Sequence, residues 1–584
     1  MSLLVVVIFS AICLVVAYFT YGSLLARWFK LDPTATTPAV ELRDDVDYVP
    51  IAPKFLMGQH FSAIAAAGPI VGPILAGVMF GWVPALIWIL VGSIFIGGVH
   101  DLGSLLASVR HKARSIAEVV KLHMSWRSYV LFLIFVWFTL IYVIVAFTDI
   151  VAGAFVGVQT LEHGERVTGG GIATSSLLYL TLPIVMGLLL RYTKLSLGWA
   201  TAIFLPLVAV SIWIGQYIPL DLAAWLGISE DGAHKVWDVL LLGYCFVAAL
   251  APMWLLLQPR GHLGGYFLYA ALLGGALGLV FSGKSAVYPA FIGWHDAAGA
   301  PMFPLLFITV ACGACSGFHA IVSSGTTSKQ LRKETDAKTV GYGAMLLEGM
   351  VAVVSLCCVM VLARDTVTGV KASPNYIYSM GIGSFLETLG VPGKLAVTFA
   401  LLAFTTFVYD TLDVCTRLGR YILEELFKLR GRTGRYLATA ITAGTPALFV
   451  LQTVTDAKGN VIPAWKTFWG LFGASNQLLA ALTLLGVTVW IWRTQQRRWV
   501  WYAVGLPTVF MYIMSAWALL RFVRTGFFLP DWSFKGIGGD AVSWAALVLI
   551  VLAALVLLEA IRVLFGNPSP PRAPQTEPAA VAQA

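Results

Sequence analysis

Six carboxylates stand where ionised groups are least at home. Asp101, Asp149, Glu348, Asp410, Asp413 and Glu559 fall inside otherwise apolar stretches, whereas every Lys and Arg falls in a connecting segment or at the end of such a stretch. An ionisable group at the centre of a membrane helix costs at least ~2.5–3.5 kcal/mol on insertion scales, so such residues usually face a cavity or an ion path. With no buried basic partner, a carboxylate there binds a cation, holds a proton or lies near a watery interface. Glu559 belongs to the last group, because Arg562 follows it. Asp410 and Asp413 share one helix face, and Asp413 also reaches Arg417 at i+4, so a helix-end salt bridge is the plain alternative. Glu348 and Asp101 have no such neighbour. These two, with Asp413, are the candidates for coupling to a proton or a sodium ion.

A second chemical feature is backbone that cannot stay helical. Gly68-Pro69-Ile70-Val71-Gly72-Pro73 lies near the middle of an apolar stretch. Proline lacks the N–H donor and clashes with the preceding turn, and Gly adds freedom, so a break is expected here with Pro73 opening a second half-helix. Unwound backbone survives at membrane depth only where it is buried in protein or lines a cavity. Gly68, Pro69, Gly72 and Pro73 are therefore candidate substrate contacts, the alternative being a proline kink. A weaker break is expected at Ala251-Pro252. Cys312, Ser316, His319, Ser323 and Thr327 fall at helical spacing and read as a polar stripe. Helix packing through small residues explains the serines but not the histidine. Ser316 and His319, with His60, join the substrate-site candidates, and Ser323 and Thr327 join the coupling-ion candidates. His100, beside Asp101, is a further titratable neighbour. Cys312 and Cys315 form a CxxC with no second pair, so no metal site is expected.

Positioning these groups falls to a bilayer-embedded chain. Of 584 residues 59% are hydrophobic and only 11% charged, and the mean hydropathy is +0.84. That balance excludes a nucleic-acid binder, a disordered scaffold and a secreted disulfide module, despite a net charge of +9. About fifteen stretches approach the ~20 residues needed to cross the hydrocarbon layer. They lie around 2–26, 55–80, 83–109, 128–158, 174–190, 198–218, 237–257, 263–282, 302–324, 339–363, 395–413, 437–454, 464–492, 499–520 and 541–565. The fold class expected is all-α and polytopic. The connections 27–54, 110–127, 191–194, 258–262, 325–338, 414–436 and 493–498 together hold 25 Lys and Arg against 10 acids. The positive-inside rule places them in the cytoplasm, with the N-terminus outside and the C-terminus inside. The first stretch lacks a basic leader and is expected to be a retained helix. The Pro/Ala-rich end, 566–584, reads as a disordered tail.

The stretches GQHFSAIAAAGPIVGPILAGVMFGWVPALIWILVGSIFIGGVHDLGSLLASVRHKARSIAEV, FITVACGACSGFHAIVSSGTTSK, TDAKTVGYGAMLLEGMVAVV and FWGLFGASNQLLAALTLL resemble the carbon starvation protein A family, as does DTLDVCTRLGR. The resemblance runs from about His60 to Leu485, in the family's order. It implies a bacterial or archaeal inner-membrane transporter linked to nutrient scavenging, with peptides and pyruvate as substrate types. It also implies the amino acid–polyamine–cation architecture, two inverted five-helix repeats with binding near the midplane. On that scheme 1–54 is an N-terminal helix and cytoplasmic connection. Residues 55–428 form a ten-helix core in which 237–257 is the partner of 55–80, and 429–565 add four helices. The residues 363–395 are shorter than in well-known members, which leaves substrate range open. The function expected is secondary active import of a short peptide or pyruvate-like carboxylate, driven by H⁺ or Na⁺, in a carbon-starvation response. Its rivals are a passive channel and a nutrient-sensing receptor. No HExxH, P-loop or GxSxG pattern occurs, so no enzyme and no cofactor are expected.

Overall fold

The computed structural model describes all residues except 45–47, 66, 161–165, 253, 298, 370–372, 456–460, 530, 537–539 and 567–584. The tail expected to be disordered thus lies almost entirely outside the described residues. Among the described residues the architecture is helical, with two short antiparallel hairpins, Val158–Thr160 with Arg166–Thr168 and Val454–Thr455 with Val461–Ile462. Twelve helices among the described residues are long and apolar enough to cross a membrane. The count is thirteen if Pro53–Ile64 and Gly68–Phe80, which meet at a 49° bend, are one span. Several of these helices start where a side chain caps the first turn: Ser125 accepts from the Ser128 N–H, and Thr168, Ser196, Ser229 and Asp540 serve alike.

The difference from fifteen stretches lies in two places. Residues 302–324 are two short helices, Met302–Thr309 and Gly317–Gly325, separated by non-helical backbone. The polar stripe is therefore interrupted, and only His319 and Ser323 keep helical register. Residues 437–454 belong to Gly431–Gly444 and Ala447–Val450, neither long enough to count as a span. An apolar helix that hydropathy left unassigned, Pro374–Thr388, approaches Gly157 through Tyr376 and Gly278 through Phe385. Gly383 of this helix meets Val397 and Tyr378 meets Phe404, so it runs antiparallel alongside the first part of Gly393–Leu426.

The expected break around Gly68–Pro73 is displaced by one turn. Pro69 excludes the carbonyl of the residue four earlier, Ala65, and the helix stops at Ile64. It restarts at Gly68 with Pro69 in the first turn, where a missing N–H costs nothing, and continues through Pro73. Pro73 does not open the second half. At Ala251-Pro252 the helix Glu230–Leu250 ends, and the next begins at Leu257.

Burial of basic residues corrects the sequence reading most. Arg260 is 1% exposed, and Arg417 and Arg420 are also buried. The segment around Arg260 is not a loop, because the helix Leu257–Phe281 already includes it. Arg417 makes no ion pair with Asp413. Its Nη2 donates to the carbonyls of Ala248 (2.8 Å) and Ala251 (2.7 Å), capping the helix end that Pro252 leaves open.

Candidate transport site

The two interrupted helices meet at their interruptions. A side-chain carbon on Gly68 would overlap Cys312, and one on Gly72 would lie 2.5 Å from the Thr309 carbonyl oxygen. Only glycine lets these backbones approach so closely. The backbone opened at 310–316 is not left unpaired. Trp88 Nε1 donates to the Val310 carbonyl (3.1 Å), and Gln477 Nε2 donates to the carbonyls of Phe307 (3.2 Å) and Ala311 (3.3 Å). Asn476 accepts from the Phe318 N–H (3.0 Å) and donates to Ser316 Oγ (3.1 Å). These side chains replace the helical bonds that the break removes.

Against this crossing sits a buried chain of titratable groups. Asp101 accepts from His100 Nδ1 on one oxygen and from His319 Nδ1 on the other, each at 2.7 Å. His319 Nε2 in turn stands 3.1 Å from Glu348 Oε2. All four side chains are 0% exposed, and neither Glu348 oxygen has a hydrogen-bond donor of good geometry among the described residues. Asp101 and Glu348 are carried by Gly98–Arg110 and Ala344–Met360. Each of these follows a π-helical turn, Ser93–Gly97 and Lys338–Gly343. Such turns rotate the residues beyond them out of α-helical register and are frequent at functional sites. His60, on the first half of the broken helix, bonds Thr327 Oγ1 through Nδ1 (2.9 Å). Ser323 is buried with no partner for its hydroxyl among the described residues.

Asp413 belongs to a different cluster. Arg260 Nε donates to Asp410 Oδ1 at 2.5 Å, and Arg260 Nη1 pairs with Asp413. Tyr244 donates to Asp413 Oδ2 (2.8 Å) and Ser62 donates to Asp410 Oδ2 (3.2 Å). These two carboxylates therefore have a buried basic partner, contrary to the sequence reading. The structure thus brings together His60, Asp101, Ser316, His319, Thr327 and Glu348 around the crossing, and sets Asp413 apart. Sequence reasoning missed Arg260, Asn476, Gln477 and Trp88. The unpaired-looking Asp410 and Asp413 were the available signal for Arg260.

The curated relatives are membrane transporters, and the family profile decides the assignment. The profile described as "Carbon starvation protein CstA" matches residues 2–379 and 364–518. The chain belongs to that family. A peptide transporter CstA of Escherichia coli is 32% identical over 90% of this chain and 81% of its own length. The pyruvate/proton symporter BtsT of the same organism is 32% identical over 89% and 81%. A peptide transporter CstA of Bacillus subtilis is 29% identical over 96% and 97%. Among solved structures, a manganese transporter variant of Eremococcus coleocola aligns over 89% of this chain and 99% of its own, at 15% identity and a TM-score of 0.42. MhsT in complex with L-phenylalanine aligns over 88% and 99%, at 12% identity and the same TM-score.

A cavity of about 1690 Å³ lies at the end of the bundle that carries the basic connections. Its wall includes Gln59, next to His60, and Ile321 and Ser324 from the helix that carries His319. Arg114, Lys121, Lys329, Arg417, Arg435 and Arg493 also line it, against Glu118 and Glu425. Glu118 is paired with Lys121 at 2.9 Å and Glu425 with the Tyr129 hydroxyl. The field in this vestibule is positive and draws anions.

Proposed function

We propose that this CstA-family protein is a secondary active transporter that imports a small organic carboxylate or short peptide together with a proton. The observation that carries the reading is the buried Asp101–His319–Glu348 relay at the crossing of two interrupted helices. An imidazole between two carboxylates passes a proton from one side to the other by exchanging which nitrogen carries it. The basic vestibule supports an anionic solute, or one with a carboxylate terminus. The names of the relatives, peptide transporter and pyruvate/proton symporter, support the same two substrate types and the proton.

Substrate contact is assigned to His60, Ser316, His319 and the Gly68–Pro73 seam. In the present conformation Cys312 and Thr309 close that seam, so the solute reaches Gly68 and Gly72 only when the two helices part. The coupling group is Glu348 with Asp101, and Ser323 and Thr327 serve the same path. Asp413 acts through Arg260 instead.

The packing also supports an internal repeat, with a changed partner for the first broken helix. The sequence 53–80, 82–110, 126–156, 230–250 and 257–281 is matched by 302–325, 334–360, 393–426, 431–450 and 464–495. In each half a broken helix precedes a helix with a π turn. Trp126–Val156 packs on both Gly393–Leu426 and Ala464–Gln495, as Gly393–Leu426 packs on Leu257–Phe281. The hairpin 169–215 is then an insertion, and the core spans 53–495. The charge bias of the connections supports an N-terminus outside, and the family supports a plasma-membrane location and a carbon-starvation role.

The test is uptake of labelled pyruvate, related acids and di- and tripeptides into proteoliposomes, with H⁺ and Na⁺ gradients imposed separately. Accumulation against a gradient, driven by pH alone, is expected. Downhill flux only would convert the reading to a channel, and binding without flux to a receptor.

A further inference from the structure

We propose that Asp149, His234 and Asp238 bind one divalent transition-metal ion at the end of the bundle remote from the basic vestibule. Asp149 lies late in Trp126–Val156, and His234 and Asp238 lie one turn apart early in Glu230–Leu250, which packs beside it. The spacing of four puts His234 and Asp238 on one helix face, toward Asp149. One ligand atom from each residue can be chosen so that all lie within 4.8 Å of one another. His234 Nε2 is 3.1 Å from Asp149 Oδ1, 3.1 Å from the Asp149 carbonyl oxygen and 3.9 Å from Asp238 Oδ2.

The second observation is the state of Asp238. Its residue is 0% exposed, and among the described residues neither carboxylate oxygen has a hydrogen-bond partner. Buried carboxylates are normally paired, hydrogen-bonded or bound to metal, because desolvation is otherwise uncompensated. An imidazolium at His234 serves Asp149 but leaves Asp238 beyond hydrogen-bond reach. A cation between the three serves both.

The geometry suits such an ion. Metal–ligand bonds of ~2.0–2.2 Å place neighbouring donors ~3–3.6 Å apart. The Asp149–His234 distance already fits, and Asp238 closes its gap by a small side-chain shift. Asp149 Oδ2 accepts from the Trp465 N–H (2.9 Å), which fixes the carboxylate and leaves Oδ1 for the ion. Two carboxylates neutralise a dication. One imidazole selects against Mg²⁺ and Ca²⁺, and the absence of thiolate selects against soft ions. A cavity of about 180 Å³, lined by His234, Trp465 and Val71 of the second broken half-helix, offers an entry path.

The full-length protein, purified in detergent and stripped with chelator, is dialysed to equilibrium against Zn²⁺ and, separately, Mn²⁺, with bound metal counted. A single saturable equivalent is expected, together with a metal-dependent rise in the thermal unfolding midpoint. Asp238→Asn and His234→Gln each weaken binding by about 10–100-fold and abolish the rise. His262→Gln, which removes a half-buried histidine elsewhere, binds as the wild type does. If Asp238→Asn does not yield folded protein, His234→Gln alone decides. No saturable binding by the wild type overturns the proposal. So does equal binding by His234→Gln, or loss of binding in His262→Gln, which would mark adventitious histidine capture.

Discussion

Replacing Glu348 by Gln separates a coupling carboxylate from a structural one. In the wild type the Glu348 side chain faces His319 Nε2, and Asp101 holds the opposite ring nitrogen. With Nδ1 protonated and bonded to Asp101, Nε2 is free to accept from the glutamine amide, so the substitution is compatible with the fold. What glutamine cannot do is take up and release a proton. A gradient of one pH unit stores ~1.4 kcal/mol per proton, equivalent to about tenfold accumulation of a solute carried with one proton. Wild-type vesicles should therefore concentrate substrate roughly tenfold per pH unit, while Glu348→Gln vesicles equilibrate without concentrating it. Exchange of internal for external substrate, which needs no net proton movement, should persist in the variant. Asp101→Asn is the contrasting case. Both Asp101 oxygens receive ring N–H donors, so an amide sets donor against donor in a dry site. That costs ~1–3 kcal/mol and should lower the yield of folded protein. Both measurements use the same vesicle preparation: pH-driven accumulation and equilibrium exchange of labelled pyruvate. If Glu348→Gln accumulates substrate at the wild-type level, the relay is structural and the coupling group lies elsewhere.

Arg260→Met should destabilise the protein by about 3–5 kcal/mol, since it leaves two buried carboxylates unpaired. Adding Asp410→Asn and Asp413→Asn should restore most of the thermal unfolding midpoint, and an unchanged midpoint in Arg260→Met would refute the buried pairing. Gly72→Leu should abolish transport and also lower the midpoint, because its side chain meets the Thr309 carbonyl; normal uptake would show that the seam tolerates separation. His123 lies between spans, and burial, with His111 and Arg493 nearby, lowers its pKa from 6.5 to about 4. The folded state then binds fewer protons than the unfolded one, so this contribution is complete above pH 6.5 and is lost as pH falls toward 4. The midpoint of His123→Phe should accordingly fall less between pH 7 and 5 than that of the wild type; an equal fall would count against the assignment. Cysteines introduced at Asp231 and Arg435 should react with an impermeant thiol reagent from opposite sides of the membrane, the native cysteines being buried apart from half-buried Cys13; labelling from one side would overturn the orientation.

Much of the site was legible because cost is legible. A carboxylate or a proline in an apolar stretch announces itself, and Asp101, His319, Glu348 and the Gly68–Pro73 region all carried that signal. The helical stripe from Cys312 to Thr327 misled because spacing alone assumes continuous helix. Whether backbone unwinds at 310–316 depends on partners far along the chain, Trp88, Asn476 and Gln477, which supply the lost hydrogen bonds. Arg260 was hidden for a related reason. Beside Gln258, Pro259 and His262 it reads as a short basic loop, and only the approach of Asp410 and Asp413 makes its burial tolerable. Span counting departed from the structure at 302–324, which forms two short helices, and at 437–454, where neither helix is long enough to count as a span.

The short helix Pro53–Ile64 connects the two polar clusters. His60 reaches Thr327 on the side of the histidine relay, and two residues later Ser62 reaches Asp410 on the side of Arg260. Two positions along a helix point roughly opposite ways, so this half-helix is held from both flanks. Its far end stops at Ile64, where Pro69 has ended the ladder, and the next helix starts at Gly68. Parting of the two halves from their neighbours would have to loosen the Thr327 and Asp410 bonds on the first half and the Cys312 and Thr309 contacts of Gly68 and Gly72 on the second. The Glu348 helix packs on both halves of the same broken helix. Its charge state therefore bears on the seam through direct contact rather than through a long pathway. A ligand shifts an equilibrium only by its differential affinity for the two states. On the proposed reading, that difference for a proton on this relay is whether His319 keeps Asp101 and Glu348 together when the seam opens.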